Sequence, residues 1–285
     1  MKPRTWQLAH GRSLCLAGEG LLMGILNVTP DSFSDGGRFR GPDAAVEEAL
    51  RMIEAGAAII DIGGESTRPG AEAISAAQEQ DRVLPVIEAL ADADGPVLSV
   101  DTYREETARL AVAAGAHVVN DVWGLQREPD IARLAAETGA GLVIMHTGRG
   151  RKRLADVIAD QHVFLERSLG IARAAGVARE QIMLDPGFGF AKDPHENFAL
   201  MARFEELHAL GYPLLAGTSR KRFIGHATGR EADERDPGTA ATTAILRMKG
   251  AAVIRVHDVA INRDAMRIAD AMMAEDPEMR KKSQP

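Results

Sequence analysis

Short apolar segments alternate with amphipathic helical segments along most of the chain, and this alternation restricts the fold more than any other feature. The predicted strands are 21–28, 58–62, 96–101, 117–121, 141–146, 182–186, 213–217 and 252–257. The predicted helices lie near 43–55, 76–91, 104–114, 129–138, 155–175, 195–208, 237–249 and 260–274. Eight strand–helix units in about 250 residues have the size of a (β/α)8 barrel, although a doubly wound open sheet has the same local pattern.

Nearly every predicted strand ends in a polar or ionisable residue, which favours the barrel over the open sheet. These strand ends are Asn27, Asp61, Asp101, Asn120, Asp121, His146, Asp185, Thr218, Ser219, Arg255 and His257. In a barrel all strand ends surround one mouth, whereas in an open sheet only the ends near the switch point meet. We therefore predict an α/β TIM barrel with a site at the carboxyl ends of its strands.

Two shorter segments flank the predicted barrel. Residues 1–20 hold two half-apolar runs around His10-Gly11-Arg12, a pattern typical of a short β-hairpin. The barrel then spans residues 21–274, and the charged residues 275–285 are expected to form a frayed tail. With 285 residues and 45% hydrophobic content, the chain can bury the core of one large domain.

Composition and motif content exclude several classes of partner and chemistry. A formal net charge of −7 argues against nucleic-acid binding, because the phosphate backbone requires a basic face. No apolar run approaches the length of a membrane span, and the N-terminal residues do not resemble a signal peptide. The single cysteine, Cys15, cannot form an internal disulfide and fits a reducing compartment, so we predict a soluble, cytoplasmic protein. The sequence has no Ser-His-Asp signature, HExxH, Walker loop or Cys/His metal cluster.

Long turn-rich loops follow the first and second strands. They read TPDSFSDGG over 29–37 and GGESTRPGA over 63–71. Glycines let the backbone approach a ligand closely, and Arg68 can clamp an anion or pair with Asp35. An ordinary surface loop is the alternative interpretation of each.

The later strand ends divide into an acidic and a basic group. Asp101, Asn120 and Asp185 offer acceptors and an amide inside an apolar barrel, which suits a heterocycle that carries N–H donors. Alternatively, any one of these three residues could belong to a buried hydrogen-bond network that only supports the structure. Residues 218–222 and the segment Arg255-Val256-His257 form the basic group, at the loops that often bind phosphate in barrels.

His146 is treated differently from the other strand ends. A lone histidine at the end of a strand is as often a satisfied core residue as a catalyst. We therefore leave it outside the predicted catalytic set.

Several motifs resemble those of one family, the dihydropteroate synthases of folate synthesis. In chain order they are LNVTPDSFSDGG, GGESTRPGA, SVDT, VND, LDPGFGF, SRK and RVHDV. The resemblance covers roughly residues 20–272. It implies a barrel transferase that condenses 6-hydroxymethyl-7,8-dihydropterin diphosphate with 4-aminobenzoate, uses Mg²⁺, forms a homodimer and is a sulfonamide target.

The resemblance also implies roles for individual residues. The pterin ring would be held by Thr67, Asp101, Asn120, Asp185 and Lys221. The diphosphate would be bound by Asn27, which would also contact Mg²⁺, and by Arg255 and His257. The 4-aminobenzoate would lie against Phe33, Pro69, Phe190 and Lys221, with its carboxylate near Ser219. The catalytic set would comprise Lys221, Asp101, Asp185, Asp35 and Arg68, the last two on mobile loops.

The chemistry implied by the resemblance is dissociative. The C–O bond to the diphosphate breaks first, and the arylamine then attacks a pterin-stabilised carbocation. Positive groups would stabilise the departing pyrophosphate, while Asp101 and Asp185 would favour the pterin cation. A neutral arylamine is already nucleophilic, so positioning and a closed site would supply much of the rate.

One departure from the family pattern and three alternatives accompany this hypothesis. After His146 the chain reads TGRGRKR over 147–153, where the family usually continues with a different, Met-containing segment. The first alternative is a pterin-binding methyltransferase domain working with a corrinoid partner, which would not use the SRK and RVH segments. The others are a non-catalytic pterin-binding paralogue and a generic phosphate-binding barrel enzyme.

Overall fold

The computed structural model describes residues 5–29, 42–66, 73–91 and 95–276. Of the predicted site residues, Phe33, Asp35, Thr67, Arg68 and Pro69 lie outside this part of the chain. Their assignments remain predictions.

The described strands form a hairpin and a parallel barrel. The hairpin pairs β1 (Thr5–Gln7) with β2 (Ser13–Cys15). The barrel strands are β3 (Leu21–Asn27), β4 (Ile59–Gly63), β5 (Val97–Asp101), β6 (Val118–Asp121), β7 (Gly141–Met145), β8 (Ile182–Asp185), β9 (Leu215–Ala216) and β10 (Val253–Val256). They pair in the order β8-β7-β6-β5-β4-β3-β10-β9. A parallel bridge between Leu184 and Leu214 links the two ends of this order, which confirms the barrel over the open sheet.

Helices connect the barrel strands on the outside. They are α1 (Pro42–Glu54), α2 (Ala76–Leu90), α3 (Glu105–Ala113), α4 (Asp130–Thr138), α5 (Val157–Ala174), α6 (Pro194–Ala202), α7 (Arg222–Thr228), α8 (Asp236–Met248) and α9 (Val259–Glu275). Several begin at a side chain that caps the free N–H groups of the first turn, as Asp193 does for α6. Within the described ranges, none of the helices combines the length and the apolar character that crossing a membrane requires.

The predicted helix 195–208 is wrong in its second half, and one helix was not predicted. Helix α6 ends at Ala202, because Arg203 leaves the helical conformation, and a 3₁₀ segment follows over Phe204–Leu210. Helix α7 is seven residues long, too short to show a clear helical period in the sequence. The other predicted segments agree with the structure to within about two residues at each end.

The barrel interior near the hairpin is a single apolar layer. Each barrel strand contributes one residue to it: Met23, Ile59, Val97, Val118, Val143, Met183, Leu215 and Val253. Trp6 and Leu8 of the hairpin segment pack into the same layer, and Trp6 Nε1 donates to the carbonyl of Gln181 at 2.8 Å. The hairpin therefore closes the amino-terminal end of the barrel.

We expect Trp6→Ala to lower the free energy of unfolding by about 3 to 5 kcal/mol, because it removes a buried indole and leaves a cavity. Urea unfolding followed by circular dichroism measures this change. Gln7→Ala, which alters the exposed neighbour on the same strand, is the control and should change the value by less than about 0.5 kcal/mol. Equal effects of the two substitutions would show that the indole does not anchor the barrel.

Candidate functional site

A second interior layer lies above the apolar layer and is polar. Side chains on a strand alternate between its faces, so the residue two positions after an interior residue also points inward. Counting two positions on from Ile59, Val118, Met183 and Val253 gives Asp61, Asn120, Asp185 and Arg255. The same alternation that fills the barrel floor therefore brings these four predicted strand ends to one mouth, whereas Asp121 instead accepts from the backbone of Trp123 and Leu125, and His146 contacts Asp160.

Arg255 is the centre of this polar layer. Its Nε donates to Asp61 at 2.6 Å, and its Nη2 donates to Asp101 at 2.8 Å. Burial acts to lower the pKa of Arg255, but these carboxylates outweigh it and raise the pKa, so the guanidinium remains charged. The fully buried Asp61 also accepts from Ser99 Oγ at 2.6 Å and Asn120 Nδ2 at 3.0 Å. The strand-end pattern predicts Asp61 at the mouth but does not indicate that it orients both Arg255 and Asn120.

Asp101 differs from Asp61 in its environment. Burial raises the pKa of Asp101 to about 7; Arg255 opposes this shift and the charge of Asp61 adds to it. Near neutral pH, Asp101 can therefore gain or lose a proton. A side chain of this kind can act as a donor or an acceptor toward a heterocycle edge.

Lys221 and Asp185 form the opposite part of the mouth. Lys221 Nζ donates to the carbonyl of Phe188 and lies 4.8 Å from the ring centroid of Phe190. Burial lowers the pKa of Lys221 to about 8, although Asp185 opposes the shift. Burial also raises the pKa of Asp185, against the charge of Lys221 and the hydrogen bond from Gly187 N, which is 2.7 Å long.

Two glycines show which of these groups are neighbours. A side chain at Gly217 would meet Arg255 Cβ at 3.8 Å and Lys221 Nζ at 3.9 Å. A side chain at Gly63 would meet Asp101 Cβ at 3.5 Å and the Asn27 amide oxygen at 3.9 Å. Arg255, Lys221, Asp101 and Asn27 therefore border one space.

Ser219 and His257 are also brought together, as neighbours at the ends of β9 and β10. Their Oγ and Nδ1 atoms lie 2.8 Å apart, and the backbone N–H of His257 donates to the same Oγ at 3.1 Å. Because that Oγ accepts from the backbone, its own proton is available to Nδ1. This arrangement favours the tautomer of His257 that carries its proton on Nε2.

Two other basic residues at the rim have specific partners. Arg220, in the segment 218–222, pairs with Asp236 at 2.8 and 2.7 Å, so it anchors the start of α8. Arg149, in the atypical segment 147–153, places its guanidinium 4.7 Å from the ring centroid of Phe190. That segment therefore reaches the ring against which 4-aminobenzoate is expected to lie.

Comparisons with known proteins agree on one family, the dihydropteroate synthases. A family model described as pterin binding enzyme matches residues 23–257. The dihydropteroate synthase of Bacillus subtilis is 48% identical over 253 residues, which cover 89% of this chain and 88% of that protein. The structure of Xanthomonas albilineans dihydropteroate synthase with 4-aminobenzoic acid is 44% identical, with a TM-score of 0.90, and covers 95% of this chain and 100% of that one. The structure of Clostridium difficile dihydropteroate synthase with pteroic acid is 43% identical, with a TM-score of 0.85, and covers 89% of this chain and 97% of that one.

The raised pKa of Asp101 predicts a specific pH dependence of stability. An unfolded aspartate releases its proton near pH 4, whereas Asp101 in the folded protein keeps it up to a pKa of about 7. Between these values the folded state binds more protons, so this carboxyl lowers stability as the pH rises. Asp101→Asn removes the effect, and its stability relative to wild type should increase from pH 4 to 7 by at most about 1.4 kcal/mol per pH unit.

Urea unfolding at each pH from 4 to 8 measures this difference. Gln7→Ala is the control, since it changes an exposed side chain that carries no charge and should give a flat difference over the same range. A flat difference for Asp101→Asn would contradict the assigned proton on Asp101.

Proposed function

Because the chain belongs to the dihydropteroate synthases, a family of pterin-binding transferases, we propose that its barrel mouth joins 6-hydroxymethyl-7,8-dihydropterin diphosphate to 4-aminobenzoate. The products are 7,8-dihydropteroate and pyrophosphate. The proposal depends mainly on one observation: acidic and basic side chains lie together in one mouth. Arg255 binds Asp61 and Asp101, and Lys221 lies beside Asp185. The related structures with 4-aminobenzoic acid and pteroic acid support the same ligand classes.

Recognition of the pterin is assigned to the acidic side of the mouth. Asp185, Asn120 and Asp101 accept or donate hydrogen bonds along the edge of the ring. Asp185 and Asn120 are buried and the Asp101 side chain is only 12% exposed, which makes recognition selective, because a ring without matching groups would leave buried polar atoms unpaired. Thr67, outside the described residues, is proposed to contribute to the same contact.

The basic side of the mouth acts on the leaving group. The C–O bond between the pterin methylene and the diphosphate breaks, and its electron pair leaves with the pyrophosphate. Arg255 and His257 stabilise the charge that develops there. The positive charge left on the pterin is stabilised by the nearby Asp185 and by Asp101 in its ionised form.

The arylamine completes the reaction. The nitrogen of 4-aminobenzoate attacks the pterin methylene, a new C–N bond forms, and the nitrogen loses a proton. Phe190 and Lys221 hold the aromatic ring, and Ser219 is placed near the carboxylate. Phe33 and Pro69 are proposed to line the same site, and Asp35 and Arg68 to close over it, although all lie outside the described residues.

We further propose that Mg²⁺ assists this reaction. In the described part of the chain no three His, Cys, Asp or Glu side chains could together hold a metal ion, but Asn27 ends β3 with an amide oxygen near Gly63. Mg²⁺ is commonly bound by few protein oxygens together with substrate phosphates and water, so this donor fits it. When bound, the ion would neutralise charge on the diphosphate.

The alternatives make different use of these residues. A pterin-binding methyltransferase would need the acids but not the pairing of Ser219 with His257 or the placement of Lys221. A non-catalytic paralogue would bind pterin without turnover. A generic phosphate-binding barrel would not need the acids at all.

The first test is pyrophosphate release from the pterin diphosphate with Mg²⁺, measured with and without 4-aminobenzoate. We expect release to require 4-aminobenzoate and to stop when EDTA removes the metal. Lys221→Ala and Asp185→Asn should each slow it at least about hundredfold, because each removes a group that contacts the reacting pterin. Arg203→Gln, a surface change, should retain the wild-type rate.

Two outcomes would contradict this function. Pterin binding without pyrophosphate release would favour the non-catalytic paralogue. Phosphate binding without pterin binding would favour the generic barrel enzyme.

We also propose that the protein is a homodimer that associates through α8 and α9. Both helices expose large apolar side chains: Ile245 is 42% exposed, Met248 44%, Ile268 72% and Met272 51%.

The exposed thiol of Cys15 agrees with the predicted reducing cytoplasm.

Analytical ultracentrifugation should give twice the mass of one chain. Ile268→Glu should shift the protein to the monomer, because it places a charge in the apolar contact. Val163→Glu, at an exposed apolar position on α5, is the control and should leave the dimer intact. A monomeric wild-type protein would contradict the proposal.

A further inference from the structure

A charged cluster with a buried centre, His146 and Asp160, lies behind the mouth and is not used by the proposed reaction. Lys192 Nζ contacts His146 Nδ1 at 3.0 Å, and His146 Nε2 contacts Asp160 at 3.0 Å. Arg151 donates to the two oxygens of Asp160 at 2.9 and 2.5 Å. We call Lys192, His146, Asp160 and Arg151 the Lys192 cluster.

The cluster connects two neighbouring loops of the barrel mouth. His146 and Arg151 belong to the loop after β7, whereas Lys192 belongs to the loop after β8. The backbones of these loops also meet, since Gly148 N donates to the Phe190 carbonyl at 3.3 Å. The atypical segment 147–153 therefore supports the loop that follows Asp185.

Lys192 acts on one residue of that loop, Gly187. Its ammonium donates to the carbonyl of Gly187 at 2.8 Å, and the N–H of Gly187 donates to Asp185 at 2.7 Å. The next carbonyl, that of Phe188, accepts from Lys221. One residue held by Lys192 is therefore bonded to Asp185 and adjacent to the partner of Lys221.

The conformation of the loop shows that its position is imposed by its contacts. Ala191, next to Lys192, has a φ of +52°. A non-glycine residue is unfavourable in this left-handed region and persists there only when surrounding contacts hold it. The Lys192 cluster supplies such contacts on one side of Ala191, and the bond between Gly148 and Phe190 supplies them on the other.

A lysine is unfavourable in this half-buried position unless its charge or its hydrogen bonds are used. Burying an ammonium is costly, and an apolar side chain of similar size often stabilises a protein equally well or better. Burial lowers the pKa of Lys192 to about 7, with a further contribution from the charge of Lys221. The ammonium groups of Lys192 and Lys221 bind the consecutive carbonyls of Gly187 and Phe188, so the charge of Lys192 contributes to the field of the mouth.

We propose that Lys192 is a positioning residue for pterin recognition, which holds Gly187 by its carbonyl so that Asp185 and Lys221 keep the geometry that binds the ring. This inference rests on the proposed function. It assigns to the loops after β7 and β8 a joint task that does not involve direct contact with the substrates.

The test is Lys192→Met, which keeps the length of the side chain and removes its charge and donors. Binding of the pterin diphosphate with Mg²⁺, measured by calorimetry, should weaken about tenfold or more, as is typical when a supporting group is lost. KM for the pterin diphosphate should rise to a similar extent, with a smaller change in kcat. The melting temperature should fall by only a few degrees, because methionine fills the volume but leaves the Gly187 carbonyl and His146 Nδ1 without this donor.

Two further variants distinguish a positioning effect of the Lys192 ammonium from a general disturbance of the structure. Lys192→Arg retains a cationic donor and should recover most of the pterin affinity. Arg153→Met changes an arginine that pairs with Glu196 at the surface next to the cluster, and it should leave pterin affinity unchanged.

Each outcome has a defined meaning. A Lys192→Met variant with wild-type pterin affinity would overturn the positioning role, whether or not its melting temperature changed. A wild-type protein that binds pterin but releases no pyrophosphate would overturn the proposed function, while the binding comparison would still decide the role of Lys192. A wild-type protein that binds no pterin would overturn both.

Discussion

Arg255 carries a positive charge into the interior of the barrel, and the organisation of the mouth depends on compensating it. A buried charge is tolerated only when it is paired and hydrogen-bonded. Asp61 and Asp101 provide this pairing from β4 and β5, and Asp61 in turn orients Ser99 and Asn120. One ion-pair network therefore fixes groups on four strands at the height where a ligand would bind, with the cation and the carboxylates already in position.

The apolar floor is the other half of this arrangement. Because interior and exterior positions alternate along each strand, a single register places apolar side chains below and polar ones above. The hairpin residue Trp6 closes the floor, so the polar layer lies above a packed layer of hydrocarbon. Such surroundings raise the pKa of Asp101 to about 7 and lower the pKa of Lys221 to about 8, so both side chains can exchange protons near neutral pH.

The prediction from sequence is correct for the barrel because the patterns on which it rests are periodic and repeated. Apolar strands, amphipathic helices and polar strand ends are local patterns, and eight repetitions distinguish them from chance. It was wrong where the pattern was short or interrupted, at the 3₁₀ segment Phe204–Leu210 and at helix α7. It had no signal for Lys192, because the surroundings of that side chain come from loops distant in sequence.

The sequence by itself determined the strand order along the chain, the alternation of faces and the residue types available at the mouth. Only the tertiary structure decided which of those residues meet, since Arg255 is 194 residues from Asp61 and 154 from Asp101. It also decided their protonation, because the pKa of Asp101 depends on burial and on charges that other strands supply. The physical reason is that periodicity is a property of neighbouring residues, whereas desolvation and ion pairing depend on distances that exist only after the barrel closes.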